Sequence, residues 1–235
     1  NWGNLSKATY QDGNALWRKP DEVGNLYTTA TQKDSNYGNA GQILLRNGIK
    51  YKYDLEGNLI EKKGNGEHWR YEWGGNGMLQ KVTRPDGGTV TFGYDALGRR
   101  VWKQFNGNTT RWVWDGNTPL HEWKERTSTS EINHLGITTW VFEEGSFVPA
   151  AKLQNETSYS IITDHLGTPT ALYDERGEKS WSSDLDIYGK VRSFTGSSLT
   201  FCPFRYQGQY HDTETGLYYN RFRYYDPESG GYVSQ

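Results

Sequence analysis

The stretch that decides the fold is Tyr53-Asp54-Leu55-Glu56-Gly57-Asn58-Leu59. It reads as an aromatic residue, an acid, two variable residues, glycine, a polar residue and an apolar one. The acid is suited to accept hydrogen bonds from backbone amides just downstream, as in an Asx turn. Glycine supplies the positive φ that the turn requires. The aromatic closes one strand and the apolar residue opens the next, so the unit reads as a hairpin corner.

The unit recurs. Tyr94-Asp95-Ala96-Leu97-Gly98-Arg99-Arg100-Val101 is a second copy, and Tyr173-Asp174-Glu175-Arg176-Gly177 is a late one. Tyr71-Glu72-Trp73-Gly74-Gly75 keeps the shape with Glu in the acid position. Pro20-Asp21-Glu22-Val23-Gly24-Asn25-Leu26 lacks the tyrosine, and Trp114-Asp115-Gly116-Asn117 reads as a shortened copy. Gly57, Gly75 and Gly98 are 18 and 23 residues apart, which suits two short strands and two turns per unit. Spacing this irregular argues against a strict solenoid. Single acids this far apart also lack the carboxylate density that calcium wants.

Between corners the chain alternates with period two. His68-Trp69-Arg70-Tyr71-Glu72-Trp73 puts its large aromatics on one face and charges on the other. Thr89-Val90-Thr91-Phe92-Gly93-Tyr94 and Arg111-Trp112-Val113-Trp114-Asp115 repeat the pattern. Such alternation predicts a sheet packed on one face and wet on the other. No amphipathic helix is legible. The polar, Ser/Thr-rich stretch from Lys124 to Asn133 reads as a loop or long hairpin tip.

Composition agrees with an all-β, antiparallel chain. Hydrophobic residues make up 34% and mean hydropathy is -0.90, yet 15% of residues are aromatic. Disordered segments are poor in aromatics, whereas aromatics favour pleated strands. The net charge of -2 leaves no basic footprint for nucleic acid. No apolar run is long enough for a membrane span, and no signal peptide is visible. Cys202 is alone, excludes an intrachain disulfide and reads as a small buried residue. His68, His121, His134, His165 and His211 show no metal-motif spacing, so neither a metal nor a cofactor is expected.

The texture changes near residue 155. Gly167, Gly177 and Gly189 are only 10 and 12 residues apart, and Phe201 to Tyr232 is dense in aromatics and arginine. Two segments are therefore expected: a repeat segment over residues 1–155 and a distinct module over residues 156–235. Arg221 and Arg223, alternating with Phe222 and Tyr224, are expected on one strand face. Asp226-Pro227 ahead of Ser229-Gly230-Gly231 reads as a turn.

This second segment resembles a known family. Asp164-His165-Leu166-Gly167-Thr168-Pro169, Asp186-Ile187-Tyr188-Gly189, and Phe204-Arg205-Tyr206-Gln207-Gly208-Gln209-Tyr210-His211-Asp212 are similar to elements of the Rhs repeat-associated core domain. Thr215-Gly216-Leu217-Tyr218-Tyr219-Asn220-Arg221-Phe222-Arg223-Tyr224-Tyr225-Asp226-Pro227 matches its most recognisable stretch. The earlier corners resemble the tyrosine–aspartate (YD) repeats of the same proteins. The resemblance extends to the C proteins of insecticidal toxin complexes.

That resemblance implies a long antiparallel strip wound into a hollow shell, or cocoon, around a C-terminal polymorphic toxin domain. It implies an aspartyl autoprotease in the core domain that frees the toxin. The matching carboxylate is Asp212, with Arg205 in a possible supporting role. The second aspartate belongs to an Asp-Pro-x-Gly-Leu motif expected just after Gly231-Tyr232-Val233-Ser234-Gln235, so the stretch in hand is expected to be inactive alone. Implied partners are the protein's own toxin domain, the remaining shell repeats, secretion-system tip proteins and a chaperone. The implied location is exported or at the surface of a bacterium, with type VI secretion as a frequent route. His211, beside Asp212, reads as structural, since the family's chemistry uses carboxyls. From the residues alone, an alternative remains: rows of Trp and Tyr on an open sheet are suited to stack on sugars, with Trp112 as the test position.

Overall fold

The computed structural model describes residues 5–126 and 136–234. The chain is all-β among these residues, apart from two short 3-10 turns. Sixteen strands, from Ser35–Tyr37 to Val191–Thr195, form one antiparallel order in which every sequence neighbour is a sheet neighbour. A meander of this kind needs only hairpins, and the sequence supplies two kinds.

The first kind is the aspartate corner. In Asp95-Ala96-Leu97-Gly98-Arg99 the Oδ1 of Asp95 accepts the amides of Leu97 and Arg99, both at 2.9 Å. Gly98 donates to the Asp95 carbonyl with φ at 73°. Asp164, Asp174 and Asp186 bind their own turns in the same way. A register shift beside these corners marks a one-residue bulge, as expected for a three-residue loop. The second kind is a two-residue turn with both φ values positive: Asn47-Gly48, Asn65-Gly66, Asn106-Gly107 and Asn155-Glu156. Asn-Gly is the strongest short hairpin signal, and these turns close several of the remaining hairpins.

One corner sits elsewhere than expected. The turn after Tyr71 is Gly74-Gly75-Asn76-Gly77-Met78, closed by Gly74 N–H to Met78 O at 2.9 Å. Gly77, not Gly75, carries the positive φ. Glu72 is therefore a mid-strand residue, paired with Lys81 at 2.8 Å. The corner glycines become Gly57, Gly77 and Gly98, a far more even spacing than the sequence suggested. Gly77→Ala is expected to cost about 1–2 kcal/mol, because alanine resists the left-handed conformation. Gly75→Ala is expected to lie within about 0.5 kcal/mol of the parent. Urea midpoints of the two variants check the assignment.

The strands alternate as predicted. Tyr71, Val90, Phe92 and Trp112 are buried, while Arg70, Glu72, Thr89, Val113 and Asp115 are exposed. The strand Thr118–Arg126 extends into the stretch expected to be a loop. The rest of that expectation, and His134, fall outside the described residues.

The residues form two compact units divided between Arg70 and Tyr71. In the first, Arg46 is buried at the end of its strand and donates to Ser35 Oγ, Tyr37 Oη and Leu26 O, each at 2.7 Å. In the second, the sheet passes residue 155 without a break: Pro149–Gln154 pairs with Thr157–Thr163 across the Asn155-Glu156 turn. After Thr195 the chain leaves the long sheet. It makes the 3-10 turn Leu199–Phe201, then a small sheet of Tyr210–Asp212, Leu217–Asn220, Arg223–Asp226 and Gly231–Tyr232.

This C-terminal segment lies on the aromatic face of the long sheet. Ring centroids meet at 5.4 Å for Phe92–Tyr224, 5.3 Å for Trp112–Tyr210, 4.7 Å for Trp140–Phe204 and 5.1 Å for Tyr159–Phe201. The last three are edge-to-face, which suits the aromatic quadrupole. Leu217, Tyr218 and Tyr219 are buried in succession, so both faces of the small sheet are covered. Tyr219 points to the long sheet, where its hydroxyl accepts the Arg100 amide at 2.8 Å. Tyr218 and Tyr225 point the other way, donating to the carbonyls of Gly189 and Tyr188 at 2.8 and 2.7 Å. The corner around Asp186 therefore caps the outer side of the small sheet.

Arg221 and Phe222 do not continue a strand. Both have positive φ, 41° and 40°, and form the two-residue turn between Leu217–Asn220 and Arg223–Asp226. Asp226 stands at the next turn: its carbonyl accepts from Ser229 and Gly230, and its Oδ1 from Glu228 at 2.9 Å.

Candidate functional site

Asp212 ends the strand Tyr210–Asp212 and has no exposed surface. It differs from the corner aspartates in one respect: its carboxylate takes no part in its own turn. The turn after it is held by its backbone carbonyl, which accepts from Thr215 and Gly216 at 3.1 and 2.8 Å. Thr215 Oγ1 also donates to that carbonyl and accepts the Leu217 amide. The carboxylate is thus left for partners from the long sheet.

Those partners are Arg100 and Lys103, both in the strand Arg100–Phe105. Arg100 grips the carboxylate with both terminal nitrogens: Nη2 donates to Oδ1 at 3.0 Å and Nη1 donates to Oδ2. Lys103 Nζ donates to Oδ1 at 3.0 Å and to Glu214 Oε2 at 2.7 Å. Arg84, from another corner, donates to the Glu214 carbonyl. The guanidinium of Arg100 also lies 4.5 Å from the ring centroids of both Trp112 and Tyr219, with Phe92 and Tyr210 at 5.6 and 5.4 Å. Such rings stabilise a desolvated cation.

Electrostatics follow from this geometry. Burial alone would raise the Asp212 pKa, but Arg100 and Lys103 outweigh it and hold the carboxyl below the usual carboxylate range. Burial opposes charge on Arg100 as well, and Asp212 drives its pKa well above the ordinary value. The pair is a bidentate, fully desolvated ion pair between two sheets, 112 residues apart in the chain.

Arg205 is buried too, but its bonds run elsewhere. Nη1 donates to the carbonyls of Cys202 and Phe204 at 2.9 and 2.7 Å, and Nη2 to His211 Nδ1 at 2.8 Å. It therefore reaches Asp212 only through the neighbouring histidine. His211 is pushed down to about 3, first by burial and then by Arg205, so it is neutral at physiological pH, with Nδ1 as acceptor. Cys202 has no exposed surface, and burial pushes its thiol up to about 11.

Trp112 and Trp140 lie beneath the C-terminal segment, at 4% and 2% exposure. Their indole nitrogens both donate to Glu122 Oε2 at 3.3 Å. Packing has claimed these rings, so they offer no open face for a sugar.

A second buried cation sits nearby. Lys152 Nζ donates to Phe201 O at 3.0 Å and lies 3.5 Å from the Phe201 ring centroid, with Trp140 and Tyr159 at 5.5 and 5.8 Å. Burial pushes this lysine down to about 8 from its ordinary 10.5. The unfolded chain therefore binds the extra proton between those values, and folding grows more favourable as pH rises through that window. Lys152→Met is expected to gain about 1–2 kcal/mol at neutral pH. The gain should fade between pH 8 and 10.5 as the native lysine sheds its proton. Chemical denaturation at graded pH checks both the sign and the window.

Sequence reading names Asp212 and Arg205 as candidates and passes over Arg100, Lys103 and Glu214, which lie beside Asp212. A signal for Arg100 existed. Two residues past the corner glycine stand Leu59 and Leu79, at 1% and 0% exposure. The same place after Gly98 holds arginine, a charge in a core position.

A meandering antiparallel wall with aspartate corners, overlaid by an aromatic C-terminal sheet, defines the class as a YD-repeat β-shell protein. Residues 2–235 match the Teneurin YD-shell family, and the chain belongs to it. Toxin protein Tse5 of Pseudomonas aeruginosa is 34% identical over 222 residues, covering 80% of this chain and 17% of the relative. Probable deoxyribonuclease RhsA of Dickeya dadantii is 30% identical over 210 residues, covering 83% of this chain and 14% of the relative. Among solved structures, the Photorhabdus luminescens Tc holotoxin pore matches in fold, with a TM-score of 0.57 and 19% identity over 79% of this chain and 12% of that one. The chain thus spans less than a fifth of the length of these two curated relatives. No helix among the described residues is long and apolar enough to cross a membrane.

Proposed function

We propose that this chain is a wall segment of a polymorphic-toxin shell protein. The shell encloses a C-terminal toxin domain, and Asp212 serves an aspartyl self-cleaving site that frees it. The core segment, residues 156–235, supplies that carboxylate. The toxin domain and further shell repeats are the partners. Export from a bacterium through a secretion system, with tip proteins and a chaperone, belongs to the same reading. Family membership and the toxin relatives support the shell role.

The observation that carries the cleavage role is the state of Asp212. It is buried, clamped by two cations and free of the turn duties that occupy the carboxylates of Asp95, Asp164, Asp174 and Asp186. Aspartyl hydrolysis needs two carboxyls in opposite protonation states. Asp212, held as carboxylate, takes a proton from water while the water oxygen bonds to the scissile carbonyl carbon. The second carboxyl, from an Asp-Pro-x-Gly-Leu motif, gives its proton to the carbonyl oxygen. As the C–N bond breaks, the nitrogen takes the proton held on Asp212, and the diol returns its proton to the second carboxylate. The products are a free acid and a free amine, and both carboxyls regain their starting states.

Intact mass spectrometry of a precursor extended through that motif tests the reading. The parent is expected to be cut once, and Asp212→Asn to stay whole. Efficient cleavage by Asp212→Asn would overturn it.

A further inference from the structure

A cavity of about 100 Å³ lies between the C-terminal segment and two corners of the long sheet. Trp114, Phe142, Phe147 and Phe204 give it apolar walls, and Gln209 and Arg221 also line it. Gln209 is 5% exposed, and its backbone N–H and carbonyl are both taken, yet its side-chain oxygen has no hydrogen-bond partner. The Nε of Arg221 is likewise buried without a partner. A buried acceptor and a buried donor left unpaired each carry a full desolvation cost, and both belong to residues of one cavity. The backbone adds a further cost there. Arg221 and its neighbour Phe222 hold φ at 41° and 40°, in the left-handed region. Residues strained in this way gather at ligand clamps.

Size and chemistry narrow the occupant. An apolar cavity of about 150 Å³ takes up benzene, so this smaller one suits the branched side chain of leucine. One acceptor and one donor are what a peptide amide pairs with, through its N–H and its carbonyl. A second cleft shares Phe142 and Phe147 with the first and is lined by Asp115, Glu143 and Glu144. None of these three carboxylates is in an ion pair among the described residues, so together they favour a cation. We infer that the two clefts form one binding site for an extended peptide. A leucine side chain fills the aromatic cavity, a peptide amide pairs with Gln209 and Arg221, and a lysine or arginine lies over the carboxylates. Residues two apart in an extended chain face the same side, which sets the spacing of leucine and base. The site owes nothing to the role proposed for Asp212.

The test uses the whole chain, isotope-labelled for NMR, with two probes: acetyl-Leu-Gly-Lys-amide and acetyl-Lys-Gly-Leu-amide. They present the two groups in either direction. The Trp114 indole N–H, which donates to the Arg100 carbonyl at 2.7 Å, reports on the cavity and is assigned from its loss in Trp114→Phe. At least one probe is expected to shift it with a Kd of about 1 mM, an affinity within reach of so small a ligand. Alanine in place of the probe's leucine is expected to weaken binding about tenfold or more. Glutamate in place of its lysine is expected to weaken it about threefold. Gln209→Met keeps the bulk of the side chain without the amide oxygen, and is expected to weaken binding about fivefold. Glu143→Gln combined with Glu144→Gln is expected to erase the preference for lysine over glutamate and to keep that for leucine over alanine. No shift with either probe at about 10 mM, or leucine and alanine probes that bind alike, would overturn the inference. Both results are read on the parent chain and need no variant to fold. A folded Gln209→Met that binds like the parent would overturn it as well.

Discussion

Arg100→Met is expected to destabilise the chain by about 3–5 kcal/mol, the cost of leaving one partner of a buried ion pair uncompensated. Methionine keeps most of the side-chain volume, so the loss is electrostatic rather than a cavity. Asp212 would retain Lys103, but that ammonium is shared with Glu214. The effect carries a pH signature. In the parent, the depressed carboxyl contributes stability that is present above its unfolded value near 3.8 and is lost as pH falls through the lower native value. In Arg100→Met the native value rises, so the variant loses that contribution at higher pH. The two chains should differ most at neutral pH and converge in acid, once the carboxyl is protonated in both. Urea denaturation at graded pH reads this directly. A gap independent of pH would mean that the arginine acts through packing alone.

Trp112→Ala is expected to cost about 3–5 kcal/mol as well, for a different reason. Removing a buried tryptophan loses its transfer free energy and leaves a cavity. Trp112 packs edge-on against Tyr210, lies beneath the Arg100 guanidinium and donates to Glu122. Its loss opens the contact between the two sheets at the point where the ion cluster is seated. A surface tryptophan reserved for sugar stacking would behave otherwise: its truncation would leave the denaturation midpoint within about 0.5 kcal/mol of the parent. One midpoint measurement therefore separates a core role from a binding role.

Much of the fold was legible because its determinants are local. Tyr94-Asp95-x-x-Gly98 encodes its turn within five residues, with acceptor, donors and left-handed glycine all present in the motif. Alternation in Thr89 to Tyr94 likewise needs no distant partner to be read. The misplaced corner at Gly74 to Gly77 arose where glycine stands in the acid position, so Glu72 borrowed the role on paper. The Arg221-Phe222 turn carries neither Asn nor Gly, and its positive φ values have no local signal. They follow from the strands on either side, which pair Asn220 with Arg223.

The site was half legible. Asp212 is visible because the motif around Thr215-Gly216-Leu217-Tyr218-Tyr219 is specific. Its cations lie more than a hundred residues upstream, and no local pattern reports a contact of that range. What the sequence does show is a charge at Arg100 where Leu59 and Leu79 mark a core position. The pairing of those two anomalies, a core arginine and an aspartate without turn duties, is the content that only the structure supplies.

Arg100 and Asp212 form one energetic unit between the wall and the C-terminal sheet. A double-mutant cycle with Arg100→Met and Asp212→Leu measures that unit most directly. The double variant removes both charges and is expected to cost no more than either single change, giving a coupling at least as large as the roughly 3–5 kcal/mol cost of Arg100→Met. Single costs that simply add, with no coupling, would contradict it.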